Sequence, residues 1–275
     1  MKTQEERTVH FDHDLQIEAY RFHGIMQKFP NHFHEYYVVG FIENGRRRLI
    51  CQNQEYSIEA GDIIIFNPYD NHACEQINHQ TLDYRCLNIK PEAMAKVFKG
   101  MDQLPHFKVP VISQSEHTEQ LYHLHQMITE EAPIFNKEET FYFLMKQLVE
   151  DYADIPEEKP FRANEQKIEN VRQYIEHHYT ENVSLDELAQ LVEMNKYSLL
   201  RAFTKLRGIT PYRYLQTLRV NRAKKLLTQG IKPVEAAALT GFTDQSHLSH
   251  FFLEFIGLTP GQYQQIFIKK GSINE

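Results

Sequence analysis

The chain has 275 residues, 41% apolar and 12% aromatic, which suits two soluble domains with their own cores and excludes a disordered polypeptide. No apolar run approaches the ~20 residues that span a bilayer, the amino terminus lacks an apolar signal core, and Cys51, Cys74 and Cys86 form no Cys-x-x-Cys pair; a membrane partner, export and a disulfide or zinc framework are excluded, and the cytoplasm is the expected location. The net charge of −7, taken alone, argues against nucleic acid.

From Arg21 to about Lys90 short alternating or apolar runs are broken by turn signals. They fall at residues 36–43, 48–52 and 63–66, separated by Asn44-Gly45, Gly61-Asp62 and Asn67-Pro68. This spacing predicts a small sandwich or barrel of many strands. His32 and His34 stand two apart, so on a strand both side chains share a face. Arg46 and Arg48 share a face for the same reason, and one of Arg46, Arg47 and Arg48 supplies an inward cation for a carboxylate or a sugar hydroxyl.

Two helical segments follow. Residues 116–131 carry Leu121, Leu124, Met127 and Ile128 at helical spacing, and 137–152 carry Phe141, Leu144, Met145, Leu148 and Tyr152. Part of this apolar surface packs on the barrel. Residues 153–163 hold two prolines and several charges and read as a linker.

The last third repeats one helix-turn-helix pattern at an offset of 49 residues: Leu199, Phe203, Gly208, Thr210, Pro211 and Tyr214 recur as Leu248, Phe252, Gly257, Thr259, Pro260 and Tyr263. In the first copy Ser184 and Glu187 form a capping box, with Leu185, Leu188, Ala189 and Val192 on one face. Asn195 caps a second helix that buries Leu199, Ala202, Phe203 and Leu206 and stops at Gly208. Thr210 and Pro211 then start a long helix to about Leu227. In the second copy residues 233–240 form the first helix, Gly241 the turn, and Asp244 caps a helix burying Leu248, Phe251, Phe252 and Phe255. Two such units place two recognition helices in successive major grooves of one duplex.

Charge agrees with this partition. Residues 162–275 contain 15 Lys and Arg against 11 Asp and Glu, a net +4, which leaves −11 on the remainder. Between Glu193 and Glu235 there are ten basic residues and no acidic one, a stretch suited to phosphate. The faces left over after burial carry Lys196, Tyr197, Arg201 and Lys205 on the first recognition helix, and Gln245, Ser246, Ser249 and His250 on the second. Arg and Gln pair bidentately with purine edges, so Arg201 and then Gln245 are the base contacts, while Lys205 meets phosphate.

The segment from Gly241 to Phe252, followed by Gly257, Thr259, Pro260 and Tyr263, resembles the signature of AraC/XylS-type transcriptional regulators; residues 198–203 and 208–211 with Arg219, Ala223 and Leu226 are similar as well. The resemblance implies an α+β chain. An amino-terminal cupin-like effector-binding barrel (1–112) is followed by a helical dimerisation segment (113–152), the linker (153–163) and an all-α domain with two helix-turn-helix units (164–275). Residues 29–37 and 59–72 resemble the barrel's motifs, and in cupins the His-x-His pair is joined by a third histidine at the position of His72. His32, His34 and His72 thus either hold a divalent metal or hydrogen-bond an effector or one another; with Tyr36 and Arg46 they form the expected effector site. No cofactor is required by this reading. The resemblance also implies a homodimer through the second helix of 113–152, RNA polymerase as a partner, and Arg219 packed between the subdomains. His250 and Leu253 stand where the family usually has basic residues, which makes the second unit the weaker, tunable half. A metal-dependent cupin enzyme fused to a DNA-binding module is the alternative; no phosphate loop, dinucleotide fingerprint or nucleophile elbow supports other chemistry.

Overall fold

The computed structural model describes residues 5–98, 104–154 and 163–268. They fall into two compact units, one from the described parts of residues 1–28 and 34–157, the other from those of 29–33 and 158–275.

The first unit begins with an antiparallel hairpin of β1 (Glu6–Asp12) and β2 (Ile17–Ile25). These strands start before Arg21, where the sequence pattern became readable. β1 is an edge strand whose side chains stay half-exposed, so it carries little apolar signal. After β3 (Phe29–His32), which groups with the second unit, come β4 (Tyr37–Asn44), β5 (Arg46–Cys51), β6 (Gln54–Glu59), β7 (Ile63–Phe66), β8 (His72–Gln76) and β9 (Leu82–Ile89). The short helix α1 (Pro91–Val97) was not expected, although Pro91 at its first position and Glu92 in its first turn are ordinary start signals. β10 (His106–Phe107) and β11 (Val111–Ile112) lead to α2 (Thr118–Thr129) and α3 (Ile134–Tyr152). Ala153 and Asp154, read as the start of the linker, form β12 and pair with β10. Residues 155–162 of that linker lie outside the described residues.

One sheet has the order β1-β2-β9-β4-β7-β11; in the other, β8, β5 and β6 lie side by side. Register assigns the two faces of the larger sheet. Ala19, Leu87, Val39 and Ile65 lie in one row across four strands, and with Ile17 and Ile89 they pack against Leu121, Leu124 and Ile128 of α2 and Phe141, Leu144, Met145 and Leu148 of α3. The neighbouring rows, Glu18–Asn88–Val38–Phe66 and Tyr20–Cys86–Gly40–Ile64, take the other face by the period of two and turn toward the barrel interior. An ionic staple reinforces the helical face. Lys137 of α3 is buried and donates to Asp12 at 2.5 Å and Asp14 at 2.7 Å, while Asp12 also accepts the Leu15 amide at 2.8 Å.

The second unit contains α4 (Ala163–His177), α5 (Leu185–Leu191), α6 (Lys196–Arg207), α7 (Pro211–Thr228), α8 (Pro233–Leu239), α9 (Gln245–Ile256) and α10 (Pro260–Ile268). Four of these starts, those of α5, α6, α7 and α9, are capped as the sequence predicts. The Ser184–Glu187 capping box is complete, Asn195 accepts the Ser198 amide, Thr210 accepts that of Arg213, and Asp244 accepts that of His247. α6 and α9 both end at a left-handed glycine, Gly208 and Gly257. Leu199, Phe203, Leu248, Phe251, Phe252 and Phe255 are buried as expected; Leu206 is not, being 42% exposed in the last turn of α6.

Candidate nucleic-acid interface and effector site

α5–α6 and α8–α9 are the two helix-turn-helix units, and α7 is the rod between them. Twelve of its eighteen residues are buried, Arg219 among them. Arg219 donates from Nε to the Tyr179 carbonyl at 2.7 Å and from Nη2 to that of Glu181 at 2.8 Å, and its guanidinium lies over Phe242. One arginine of α7 therefore ties the loop after α4 to the turn of the second unit. Gly241 makes that turn at φ +78° against the Thr180 backbone.

The exposed side of α6 carries Lys196, Tyr197, Arg201 and Lys205. Arg201 and Lys205 have no ion pair among the described residues, Tyr197 is 78% exposed, and Lys196 lies 2.5 Å from Asp186. On α9, Gln245, Ser246 and His250 are exposed and Ser249 is half-buried. α9 contains no Lys or Arg, and His250 stands 3.8 Å from Glu254. The basic stretch is less available to phosphate than its composition suggests. Arg207 pairs with Glu169, Arg213 lies 3.1 Å from Glu254, and Arg219 and Lys224 are buried. Of the two candidate recognition helices, α6 therefore presents exposed Lys and Arg side chains and α9 presents none.

Phe29–Phe33, read from the sequence as barrel, belongs to the helical unit. Phe33 is 1% exposed in a core with Leu199, Phe203 and Leu218, its ring 4.9 Å from that of Tyr214. Asn31 Nδ2 donates to the Gly208 carbonyl at 2.6 Å, and His32 stacks on Phe255 with centroids 5.3 Å apart. Burial pushes the His32 imidazole down to about 4, so it is neutral near pH 7. No local pattern marks this segment, because its partners lie more than 160 residues away.

In the barrel unit, His34 stacks on Tyr36 at 4.7 Å and lies 5.1 Å from His72, which in turn stacks on Phe66 at 3.9 Å. His72 Nδ1 donates to the Asp70 carbonyl at 3.0 Å, fixing the tautomer whose Nε2 is the acceptor. That is the orientation a metal-binding imidazole requires, and it serves equally to accept a hydrogen bond from a ligand. The inward cation is Arg47 rather than Arg46. Arg46 is exposed and pairs with Glu59, whereas Arg47 is 1% exposed, donates from Nη2 to the Ile25 carbonyl, and leaves Nε and Nη1 without a partner. Burial lowers the Arg47 pKa, as expected for a guanidinium removed from water.

The inward face of the large sheet carries a buried polar group that no local pattern in the sequence marks. Glu18 accepts from Tyr20 Oη and Asn88 Nδ2, each at 3.2 Å, and all three sit in the inward rows of the large sheet. Burial, with Glu18 the next cause, pushes the Tyr36 hydroxyl well above its ordinary range; burial does the same to Tyr84. The period of two was the available signal, but it needed the register of β2, β4 and β9 to be readable.

A barrel with a buried polar interior and a helical unit with two capped reading heads define a ligand-binding, DNA-binding regulator. Residues 14–144 match the AraC-like ligand binding domain and residues 188–266 a helix-turn-helix domain. The HTH-type transcriptional regulator YbfI of Bacillus subtilis (strain 168) is 50% identical over 247 residues, covering 89% of this chain and 90% of YbfI. The HTH-type transcriptional activator RhaS of Enterobacter sp. (strain 638) is 24% identical over 262 residues, covering 86% and 88%. The crystal structure of ToxT from Vibrio cholerae O395 shares the fold with a TM-score of 0.52 at 16% identity, covering 92% of this chain and 97% of ToxT. The chain belongs to the AraC-type transcriptional regulators. Among the described residues no helix is long and apolar enough to cross a membrane.

Proposed function

We propose that this regulator is an activator in which a small polar effector, bound in the barrel between Arg47 and the Glu18–Tyr20–Asn88 group, controls how α6 and α9 engage adjacent major grooves. The observation that carries this reading is Arg47: a buried guanidinium with two unpartnered nitrogens is a costly feature that a ligand carboxylate or hydroxyl would satisfy. His34, Tyr36 and His72 extend the same surface. The effector shifts the equilibrium only as far as it binds the active arrangement more tightly than the inactive one. Arg201 and Gln245 contact bases; Lys196, Tyr197, Lys205, Ser246, Ser249 and His250 contact backbone or flanking positions.

A homodimer through α3 is supported by its uncovered side, where Ile134, Phe135, Tyr142 and Phe143 are 48%, 70%, 43% and 54% exposed. RNA polymerase is the partner an activator requires, and the cytoplasm the compartment. Metal is a second reading. The His72 tautomer suits it, with His34 5.1 Å away in the same unit; metal content of the purified protein, compared with His72→Ala, tests it.

Capture of fragmented genomic DNA by the full-length protein at physiological salt tests the main reading. Discrete sites, each with two submotifs about one helical turn (~34 Å) apart, are expected. Enrichment without sequence preference, with and without candidate effectors, overturns it.

A further inference from the structure

We propose that the barrel unit holds a second binding site, on the helix side of the large sheet and separate from the barrel interior, that takes a small anion bearing a hydroxyl group. Cross-strand register is the starting point. Thr8 stands opposite Arg21, and Arg21 stands directly opposite Arg85, so two guanidinium side chains are neighbours on adjacent strands. Like charges so placed repel. Arg85 is compensated by Glu43, with Nε 2.9 Å from the carboxylate, and its guanidinium lies over the Tyr122 ring at 4.7 Å. Arg21 has no ion pair among the described residues.

A cavity of about 330 Å³ lies over this row, roofed by α2 through His125, Gln126 and Thr129. That volume is at the lower end of small-molecule sites, which run from about 300 to 1,000 Å³. Glu130 is the one acid of the lining; it accepts from Gln126 Nε2 at 2.8 Å and is not within ion-pair reach of either arginine. His10 adds a further imidazole at the β1 side.

The hydroxyl requirement comes from His125. It is 1% exposed, and its Nε2 donates to the Tyr20 carbonyl at 2.9 Å. The proton is thereby assigned to Nε2, and Nδ1 is left as a buried acceptor without a partner. Burial holds this imidazole down to about 4, so at neutral pH Nδ1 carries no proton and can only accept. A bare oxyanion would be repelled by the Nδ1 lone pair; an O–H beside the anionic group would satisfy it while Arg21 and Arg85 take the charge. Hydroxy acids and phosphate esters of polyols both meet this description.

Calorimetric titration of the full-length protein with glycerol 3-phosphate, malate and sulfate tests the proposal; sulfate carries charge without an O–H at neutral pH. One molecule per chain of at least one hydroxylated anion is expected, bound at least tenfold more tightly than sulfate, and the tighter of the two identifies the head group. Arg21→Gln, at an exposed position, should weaken binding about tenfold with an unchanged unfolding midpoint of the free protein, and Tyr84→Phe, on the inward face, should leave affinity unchanged. No saturable binding of any of the three probes overturns the site, as does equal affinity in Arg21→Gln. Equal affinity for sulfate overturns the role of His125. None of these outcomes depends on whether the barrel interior binds an effector.

Discussion

The α-carbon of Gly241 lies so close to Thr180 that a β-carbon built on it would meet the Thr180 carbonyl oxygen at 2.7 Å. With φ at +78°, the turn of the second reading head tolerates a side chain on neither steric nor conformational grounds. Gly241→Ala should cost about 1–3 kcal/mol of stability in the helical unit. Denaturant unfolding measures this directly, and a wild-type midpoint would show that the turn and the loop after α4 are not in contact.

Arg201 is the exposed cation at the centre of the first reading head. Arg201→Ala is expected to lose about 1–3 kcal/mol in binding to a selected site, with relaxed preference at one base pair. Lys205→Ala should instead weaken all sequences alike and reduce the salt slope. Fluorescence anisotropy at two ionic strengths separates the two patterns; identical losses from both variants would remove Arg201 from base recognition.

Lys137 is held between Asp12 and Asp14 with its side chain 5% exposed. Removing it leaves the Asp12 carboxylate buried without a counter-charge, so Lys137→Met should destabilise the barrel unit by about 3–5 kcal/mol. Replacing Asp12 as well, in Asp12→Leu with Lys137→Met, should recover part of the loss. A double variant less stable than the single one would contradict this account.

The pH dependence of the barrel unit should carry the signature of His125. Its folded pKa of about 4 lies below the ordinary 6.5 because the ring is buried, so between these values the unfolded chain binds a proton that the folded one does not. The contribution is fully present above pH 6.5 and is lost as pH falls toward 4, for a total of about 3 kcal/mol. His125→Gln should flatten the stability profile over that window; parallel profiles for the two proteins would exclude it.

In the barrel interior the roles of adjacent arginines should separate cleanly. Arg47→Met is expected to abolish the effector response while basal DNA binding persists, and Arg46→Ala to leave the response intact. A reporter assay under the protein's own promoter reads both, and the reverse ranking would place the effector elsewhere.

The caps at Ser184, Asn195, Thr210 and Asp244 were legible in the sequence because a cap is satisfied within three residues, and so were the stops at Gly208 and Gly257. Strand alternation placed Arg46 and Arg48 on one face but could not say which face was buried; that depended on pairing of β5 with β6 and β8. Glu18, Asn88 and the Arg21–Arg85 pair were hidden for the same reason, since they become neighbours only through a register between strands some 60 residues apart. Phe33 lies in the core beside Tyr214 by virtue of a contact that leaves no local trace. Leu206 failed the opposite way, its helical spacing being apolar while α6 ends before any partner reaches it.

With twelve buried residues and Arg219 anchoring its middle, α7 behaves as a caliper of fixed opening. A caliper moves the burden of adjustment onto the promoter. Target sequences can drift in individual letters, each costing a contact, but an inserted or deleted base pair between the halves rotates one of them by about a tenth of a turn and lifts a whole reading head from its groove. Operators of this protein should therefore vary among sites in spelling and hold their phase.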